Sequence, residues 1–308
     1  MPGDVRSVAS SSVGVARASL LAVIARLASF PALWRSNGIR FAPVWQMGLF
    51  HVLAVAGVVL LGISWTAVLI SVALYAIRMF FIVTGYHRYF SHRSFRLNRF
   101  WQLVWALVAM TSTQKGVLWW ASHHRRHHRY ADTDRDLHSP ARRGFWWAHV
   151  GWVLSDQFDH TVHEEVRDLA KFPELVWLNR HPLTPPLVYA LAVAGLGLAW
   201  DGWLGAANFL LWGFVVSTVL LWHGSFSINS FAHIWGRRPQ EREDTSGNSL
   251  TLALLTLGEG WHNDHHADPA SVRQGKHWWR IDLAYLGLRA LSLVRVVRLP
   301  ARRIPATA

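Results

Sequence analysis

The chain has 308 residues, 52% hydrophobic and 16% charged, against roughly 25% charged in an average soluble protein, so an ordinary cytosolic enzyme is excluded. The formal charge of +13 does not point to nucleic acid, because the arginines flank long apolar runs, the pattern that holds loops against anionic lipid on the cytoplasmic side. With no cysteine in the sequence, disulfides, thiolate metal sites and thiol nucleophiles are excluded, and any metal must be held by nitrogen and oxygen.

In chain order, residues 1–43 form a cytoplasmic or interfacial arm, whose apolar run from Val13 to Trp34 is interrupted by Arg17 and Arg26 and reads as an interfacial helix rather than a signal peptide. A bilayer-crossing helix needs about 20 mostly apolar residues. The first candidate spans 44–61, with Gln46 and His51 as its polar members, and the second spans 65–84, with Arg78 near enough to one end to snorkel. Residues 85–182 are polar and basic, and within them Phe100 to Met110 is an apolar stretch too short to cross, expected to dip in or lie along the surface. Spans three and four cover 187–200 and 204–222, joined at Asp201-Gly202. Residues 223–280 return to cap character, 281–299 read as an amphipathic interfacial helix, and 300–308 are a tail.

The turns after spans one and three lack lysine and arginine, so both face outward and everything else faces the cytoplasm. The expected fold is an all-α integral membrane protein, with four transmembrane helices in two hairpins, a cytosolic helical cap (85–182 and 223–280) and interfacial amphipathic helices. Residues 44–299 make one membrane domain, multi-pass in the cell inner membrane, with both termini cytoplasmic.

Four histidine groups fall on that cytoplasmic face: His87 and His92 after span two, His124, His127 and His128 after the short apolar stretch, Asn229 and His233 after span four, and His262, His265 and His266 beyond. On a helix, positions i, i+3 and i+4 share a face, so each HxxHH box presents three imidazoles side by side, and Asn229 and His233 point the same way. His87 and His92 stand five apart, so the helix is expected to end or bend between them. Nine neutral imidazoles are too many for one ion and suggest two, each with four or five nitrogens, drawn from iron, zinc, copper or nickel. A lone HxxHH could be an idle surface cluster; two such boxes plus an HxxxxH box on one side of a membrane are not. The remaining histidines (His51, His123, His138, His149, His160, His163, His181, His223 and His277) lack that organisation and read as structural or interfacial. Asp134, Asp136, Glu259 and Asp264 are the candidate partners that orient the imidazoles.

On these boxes, and on the blocks Gly85 to Phe95, Arg143 to Trp152, Asn229 to Arg238 and Gly258 to His266, the sequence resembles the membrane fatty-acid desaturases, in particular the stearoyl-CoA (delta-9) branch. The resemblance implies two iron ions held by the nine histidines, with a water between Asn229 and one of them, O2 as co-substrate, and removal of two hydrogens from neighbouring methylenes of a fatty-acyl chain carried by CoA, with a lipid or carrier-protein ester as the other possibility. It also implies that Gln114 and Trp120 line the acyl channel. The sequence departs from acyl-CoA members after Trp152, where Val153-Leu-Ser155-Asp156-Gln157 replaces a basic pair, and Arg125, Arg126, Arg142 and Arg143 are left to compensate. Without cysteine or a haem-attachment motif, electrons are expected from an external donor, a ferredoxin, a rubredoxin-like protein or a b-type cytochrome with its reductase, steered to the basic cap. The rival readings are a histidine-box hydroxylase or alkane monooxygenase, a two-metal hydrolase, and a metal-ion transporter, for which only His51 and Arg78 speak.

Overall fold

The computed structural model describes residues 38–300; the expected helix over Val13–Trp34 and the tail beyond Pro300 lie outside them. Among the described residues the regular structure is helical, with isolated β-bridges and no strand. Helix α1 (Phe41–Leu61) ends at Gly62, whose φ of 74° suits a residue without Cβ. Ser64 then caps α2 (Trp65–Phe81) by accepting from the Ala67 N–H at 3.1 Å. Val52, Val55, Val59, Leu60 and Leu69 point outward and are exposed, which suits hydrocarbon rather than water.

Among the described residues three helical stretches are long and apolar enough to cross a membrane: 42–61, 65–91 and 184–233. The third folds back on itself. Helix α5 (Thr184–Asn208), with Pro185 and Pro186 in its first turn, is broken at Asp201 and Gly202. Across the break Gly197 abuts the Gly205 carbonyl, and the Tyr189 hydroxyl donates to the Gly213 carbonyl at 2.9 Å. Pairs 197/205 and 189/213 share the midpoint 201, which defines an antiparallel hairpin. A π-helical segment, Phe209–Val216, leads on to α6 (Ser217–Ser230).

Arg78 does not snorkel. It is 1% exposed and donates to Thr111 Oγ1 (3.3 Å), the Thr111 carbonyl (2.5 Å), Ser217 Oγ (2.8 Å) and Thr218 Oγ1 (2.8 Å). Its guanidinium also lies 4.7 Å from the Tyr189 ring centroid. Oxygens supplied by two other helical elements solvate the cation internally, so its head has no need to reach the interface.

Helix α3 (Arg99–Met110) is the short apolar stretch, capped by Asn98. It is a core element more than a surface one. Trp105, Ala106, Ala109 and Met110 are buried, Trp105 Nε1 donates to Thr84 Oγ1 at 3.1 Å, and only an outer strip including Phe100 and Leu107 stays exposed. Helix α4 (Val117–Tyr130) and the short α7 (His262–Ala267) carry the two HxxHH boxes. The C-terminal helix α8 (Leu283–Leu293) buries Ala284 and Leu288 and exposes Leu283, Leu286 and Leu293. It stops earlier than the expected 299, because Arg295 takes a positive φ of 58° and Arg298 exchanges backbone hydrogen bonds of 2.9 Å with Arg96.

Candidate metal centre

The chain does not end its helix between His87 and His92. Helix α2 widens into a π-helix over Ile82–Ser91, and His92 N–H donates to the His87 carbonyl at 3.2 Å. Because i→i+5 bonding underwinds the helix, residues five apart come to share a face. The two rings lie 4.9 Å apart.

Nine histidines from the four boxes converge into two groups, each with ring nitrogens within 4.8 Å of one another: His87, His92, His124, His128 and His265 in the first, His127, His233, His262 and His266 in the second. Each HxxHH box is therefore split rather than presented as one triplet. The i and i+4 members stay together (His124 with His128, His262 with His266), and the i+3 member (His127, His265) crosses to the other group. Both boxes thus bridge the two positions.

The protonation pattern aims lone pairs inward. His87 Nδ1 is paired with Glu259, His127 Nδ1 with Asp136 at 3.0 Å, His233 Nδ1 with Asp132 at 3.0 Å, and His266 Nδ1 faces Asp244 at 3.4 Å. A carboxylate accepts only, so each of these Nδ1 atoms carries a proton, and in the neutral ring that leaves Nε2 as the bare nitrogen. Ring nitrogens of the groups meet head to head: His87 with His265 at 2.9 Å, His265 with His128 at 2.9 Å, and His233 with His262 at 3.1 Å. His127 Nε2 and His266 Nε2 are buried with no partner. Orphaned lone pairs spaced by roughly 3 Å are what neighbouring ligands about 2.1 Å from a shared cation require. The donor set fits two ions of the imidazole-binding metals.

Burial, then repulsion between the rings, holds His92, His124, His128, His262, His265 and His266 well below the ordinary value of 6.5, which keeps them neutral and metal-competent. His127 goes the other way: burial opposes its charge, but Asp136 outweighs burial and raises it. Burial likewise works against the Asp132 carboxylate and is overcome by its hydrogen bond to His233, so its pKa is lowered.

Two of the four expected orienting carboxylates, Asp136 and Glu259, occupy that place. Asp134 does not: it is exposed and sits 3.6 Å from Arg142. Asp264 turns away from the histidines to Arg280 and Gln240. Asp132 and Asp244 take their places, and sequence reasoning missed both. Asp132 lies four residues beyond His128, a spacing that could have suggested it; Asp244 sits in a loop with no such signal. His123 Nε2 faces the His160 carbonyl at 3.1 Å, away from both groups. His138, read as structural, packs its ring 4.2 Å from that of His127.

Beside the first group lies a cavity of about 130 Å³, lined among others by Gln114, Trp120, His124, Trp152, Trp222 and Asn229. Gln114 donates to Ser225 Oγ at 2.8 Å, and Trp120 stacks on Tyr86 and on His124, at 5.4 and 4.9 Å between centroids. A smaller cavity of about 40 Å³ joins Asn229 to His87, His124, His127 and His262, with Met79, Ile82 and Val83 as its apolar wall. An apolar chamber thus opens directly onto both histidine groups.

The sequence matches the fatty acid desaturase family over residues 63–296. It is 33% identical over 274 residues to the sn-2 palmitoyl-lipid 9-desaturase of Nostoc sp. (strain 36), covering 87% of this chain and 92% of the relative. It is 36% identical over 263 residues to the acyl-CoA C20 Delta5-desaturase of Anemone leveillei, covering 78% and 80%. It is 34% identical over 254 residues to the hex-5-enoyl-[acyl-carrier protein] acetylenase of Moorena producens (strain JHB), covering 76% and 77%. With the matched region spanning every histidine box and both cavities' walls from α2 onward, the chain belongs to the fatty acid desaturase family, in its delta-9-desaturase-like branch, and is an oxidoreductase of lipid metabolism.

Proposed function

We propose that this protein is a di-iron, O2-dependent acyl desaturase that introduces a cis double bond, at the delta-9 position, into a saturated fatty-acyl chain lying in the 130 Å³ cavity. The observation that carries the reading is the convergence of nine imidazoles into two groups beside an apolar chamber that His87, His124, His127 and His262 line. Unactivated C–H bonds are inert to side-chain acids and bases, so a metal–oxygen oxidant must supply the cleavage, and iron is the redox-active ion of the family. The protein supplies position and dryness. His87, His92, His124, His128 and His265 would hold one ion and His127, His233, His262 and His266 the other, with Asn229 reaching the second through a water. Trp120 and Gln114 form the wall against which the acyl chain is held, and Trp222 and Phe226 exclude water from it. The overall change, –CH2–CH2– + O2 + 2 e⁻ + 2 H⁺ → –CH=CH– + 2 H2O, draws its electrons from an external one-electron protein such as a ferredoxin, a rubredoxin-like protein or a b-type cytochrome.

Four membrane spans in two hairpins, with the cap and both termini cytoplasmic, complete the reading; the fold-back at Asp201-Gly202 and the lysine- and arginine-free turns support it. For the carrier, three of the four arginines that could replace the missing basic pair have other work; Arg143 lies 3.7 Å from the Trp147 ring centroid and donates to Gln157 at 3.3 Å. Arg125 is bound to Asp168 and to the Ser91 and Phe90 carbonyls, and Arg142 to the Asp132 carbonyl. A lipid ester therefore suits this mouth at least as well as a CoA thioester.

Expression in a host lacking unsaturated fatty acids, with the double bond located by mass spectrometry and acyl-CoA and acyl-lipid supplied separately to the purified protein, tests the function and separates the carriers. A hydroxy acid without alkene would establish the hydroxylase instead.

A further inference from the structure

Arg88 follows His87 on the π-helical segment and is buried, where a guanidinium is stable only when fully paired. All five of its N–H groups have an acceptor. Nε donates to Glu259 Oε1 at 3.3 Å, and Nη2 donates to the same oxygen at 3.0 Å. Nη2 also donates to Asp282 Oδ1 at 3.0 Å, while Nη1 donates to Asp282 Oδ2 at 3.1 Å and to the Val272 carbonyl at 2.8 Å. A lysine, a point charge with three donors, cannot reproduce this fork.

Glu259 divides its two oxygens. Oε1 takes both bonds from Arg88, and Oε2 faces His87 Nδ1, so Arg88 blocks the carboxylate rotation that would break the His87 contact. Asp282, behind Arg88, is satisfied in turn: Oδ1 also accepts from the Tyr285 N–H at 2.9 Å and Oδ2 from the Gln274 N–H at 2.8 Å. A Cβ on Gly258 would meet both the Asp282 carboxylate and the Arg88 guanidinium, so the backbone leaves room for the pair. The other three carboxylates that face histidines each accept from a backbone N–H: Asp136 from Asp132 at 2.8 Å, Asp132 from Thr245 at 2.7 Å, and Asp244 from Ser246 at 3.0 Å. Glu259, on a longer side chain, is fixed by Arg88. One cation and two carboxylates leave a buried net charge of −1 directly behind His87. Such a charge is costly unless compensated, and a cation on the far side of the His87 ring would offset it.

We propose that Arg88 and Asp282 are positioning residues for the first metal position. Asp282 holds Arg88, Arg88 holds the Glu259 carboxylate, and that carboxylate sets the His87 ring with Nε2 toward its group. This rests on the reading of the first histidine group as an ion site. Because the series ends on His87, it governs one ion and not the other.

The test strips metal from the full-length protein in nanodiscs and titrates it with Co2+, which takes imidazole ligands. The number of ions bound, their affinities and the visible spectrum are recorded for the wild type, Arg88→Lys, Asp282→Asn, Glu259→Gln, and each of the first two variants combined with Glu259→Gln. The wild type is expected to bind two ions. Arg88→Lys and Asp282→Asn should each weaken one ion by about 10- to 100-fold and leave the other at its wild-type affinity. Each double variant should bind no more weakly than Glu259→Gln alone, because the effect travels through that carboxylate. Additive losses in the doubles, equal weakening of both ions, or wild-type affinity at both would overturn the inference. If Arg88→Lys does not fold, Asp282→Asn and its double decide the same question. A wild type that binds two Co2+ yet, loaded with iron and given acyl substrate, O2 and reductant, forms no alkene would remove the desaturase reading and leave the positioning role standing. A wild type that binds no metal would remove both, and an active wild type whose Arg88→Lys and Asp282→Asn forms bind both ions unchanged would remove the positioning role alone.

Discussion

A carboxylate behind an imidazole does two things at once: it fixes which nitrogen carries the proton and it makes the other a better donor to a metal. Glu259, Asp136, Asp132 and Asp244 each stand in that relation to one histidine. Asp132→Asn and Asp136→Asn should therefore lower iron affinity by about 10- to 100-fold, read by metal analysis after competition with a chelator, while the protein still inserts in the membrane. His124→Ala and His265→Ala should abolish turnover and lower bound iron; full activity in either would end the ligand assignment. His277→Ala should leave iron content unchanged, since that ring stacks on Trp279, away from both groups. The six histidines whose pKa lies well below 6.5 set the acid limit. Their folded values are depressed, so the unfolded chain binds more protons, and the stability they contribute is present above about pH 6.5 and lost as pH falls below it. Iron-stripped protein titrated from pH 8 to pH 5 in detergent should show its melting temperature falling over the lower half of that range; a flat profile would contradict the burial of neutral imidazoles.

At the level of elements, geometry rather than residue type decides the site. The α2 helix delivers His87 and His92 to one group only because it changes to π-helical winding over Ile82–Ser91; in continued α-winding, residues five apart diverge by about 140°. The HxxHH helices straddle the two groups because an i+3 neighbour lies on the opposite side of position i from an i+4 neighbour. The hairpin of α5 depends on the close approach of Gly197 and Gly205, where a Cβ on either residue would meet the backbone of the other. Gly197→Val should separate the two arms and destabilise the protein by about 1–3 kcal/mol, seen as a lower melting temperature in detergent, with iron content in the surviving folded fraction unchanged. Unaltered stability would mean that the arms do not pack there.

For the molecule as a whole, the two histidine groups draw on segments far apart in sequence: α2, α4, the end of α6 and α7. On the proposed di-iron reading only the folded arrangement would bind iron, so loading should raise thermal stability by mass action, and chelation should lower the melting temperature of the wild type more than that of His265→Ala. The +13 charge has its own consequence at this scale. Reduction by an acidic protein donor should slow as ionic strength rises from 0.01 to 0.15 M, since the Debye length shortens from about 30 to 8 Å; reduction by a small neutral reductant should not.

The sequence alone supplied the candidate ligands and the apolar helices. The box spacings identified the nine histidines, the apolar runs identified the helices long enough to cross a bilayer, and the absence of cysteine excluded thiolate chemistry, because residue type and local period are properties of the chain itself. The resemblance implied Gln114 and Trp120 for the acyl channel and Asn229 for a water beside a metal; the structure lines one cavity with all three. What only the tertiary structure decided were relations between distant segments. It assigned which histidines share a position, replaced Asp134 and Asp264 with Asp132 and Asp244, solvated Arg78 with hydroxyls from other helices, and joined Arg88 to Glu259 and Asp282. A hydrogen bond acts over about 3 Å, and nothing in a linear string reveals which side chains folding will bring within that distance.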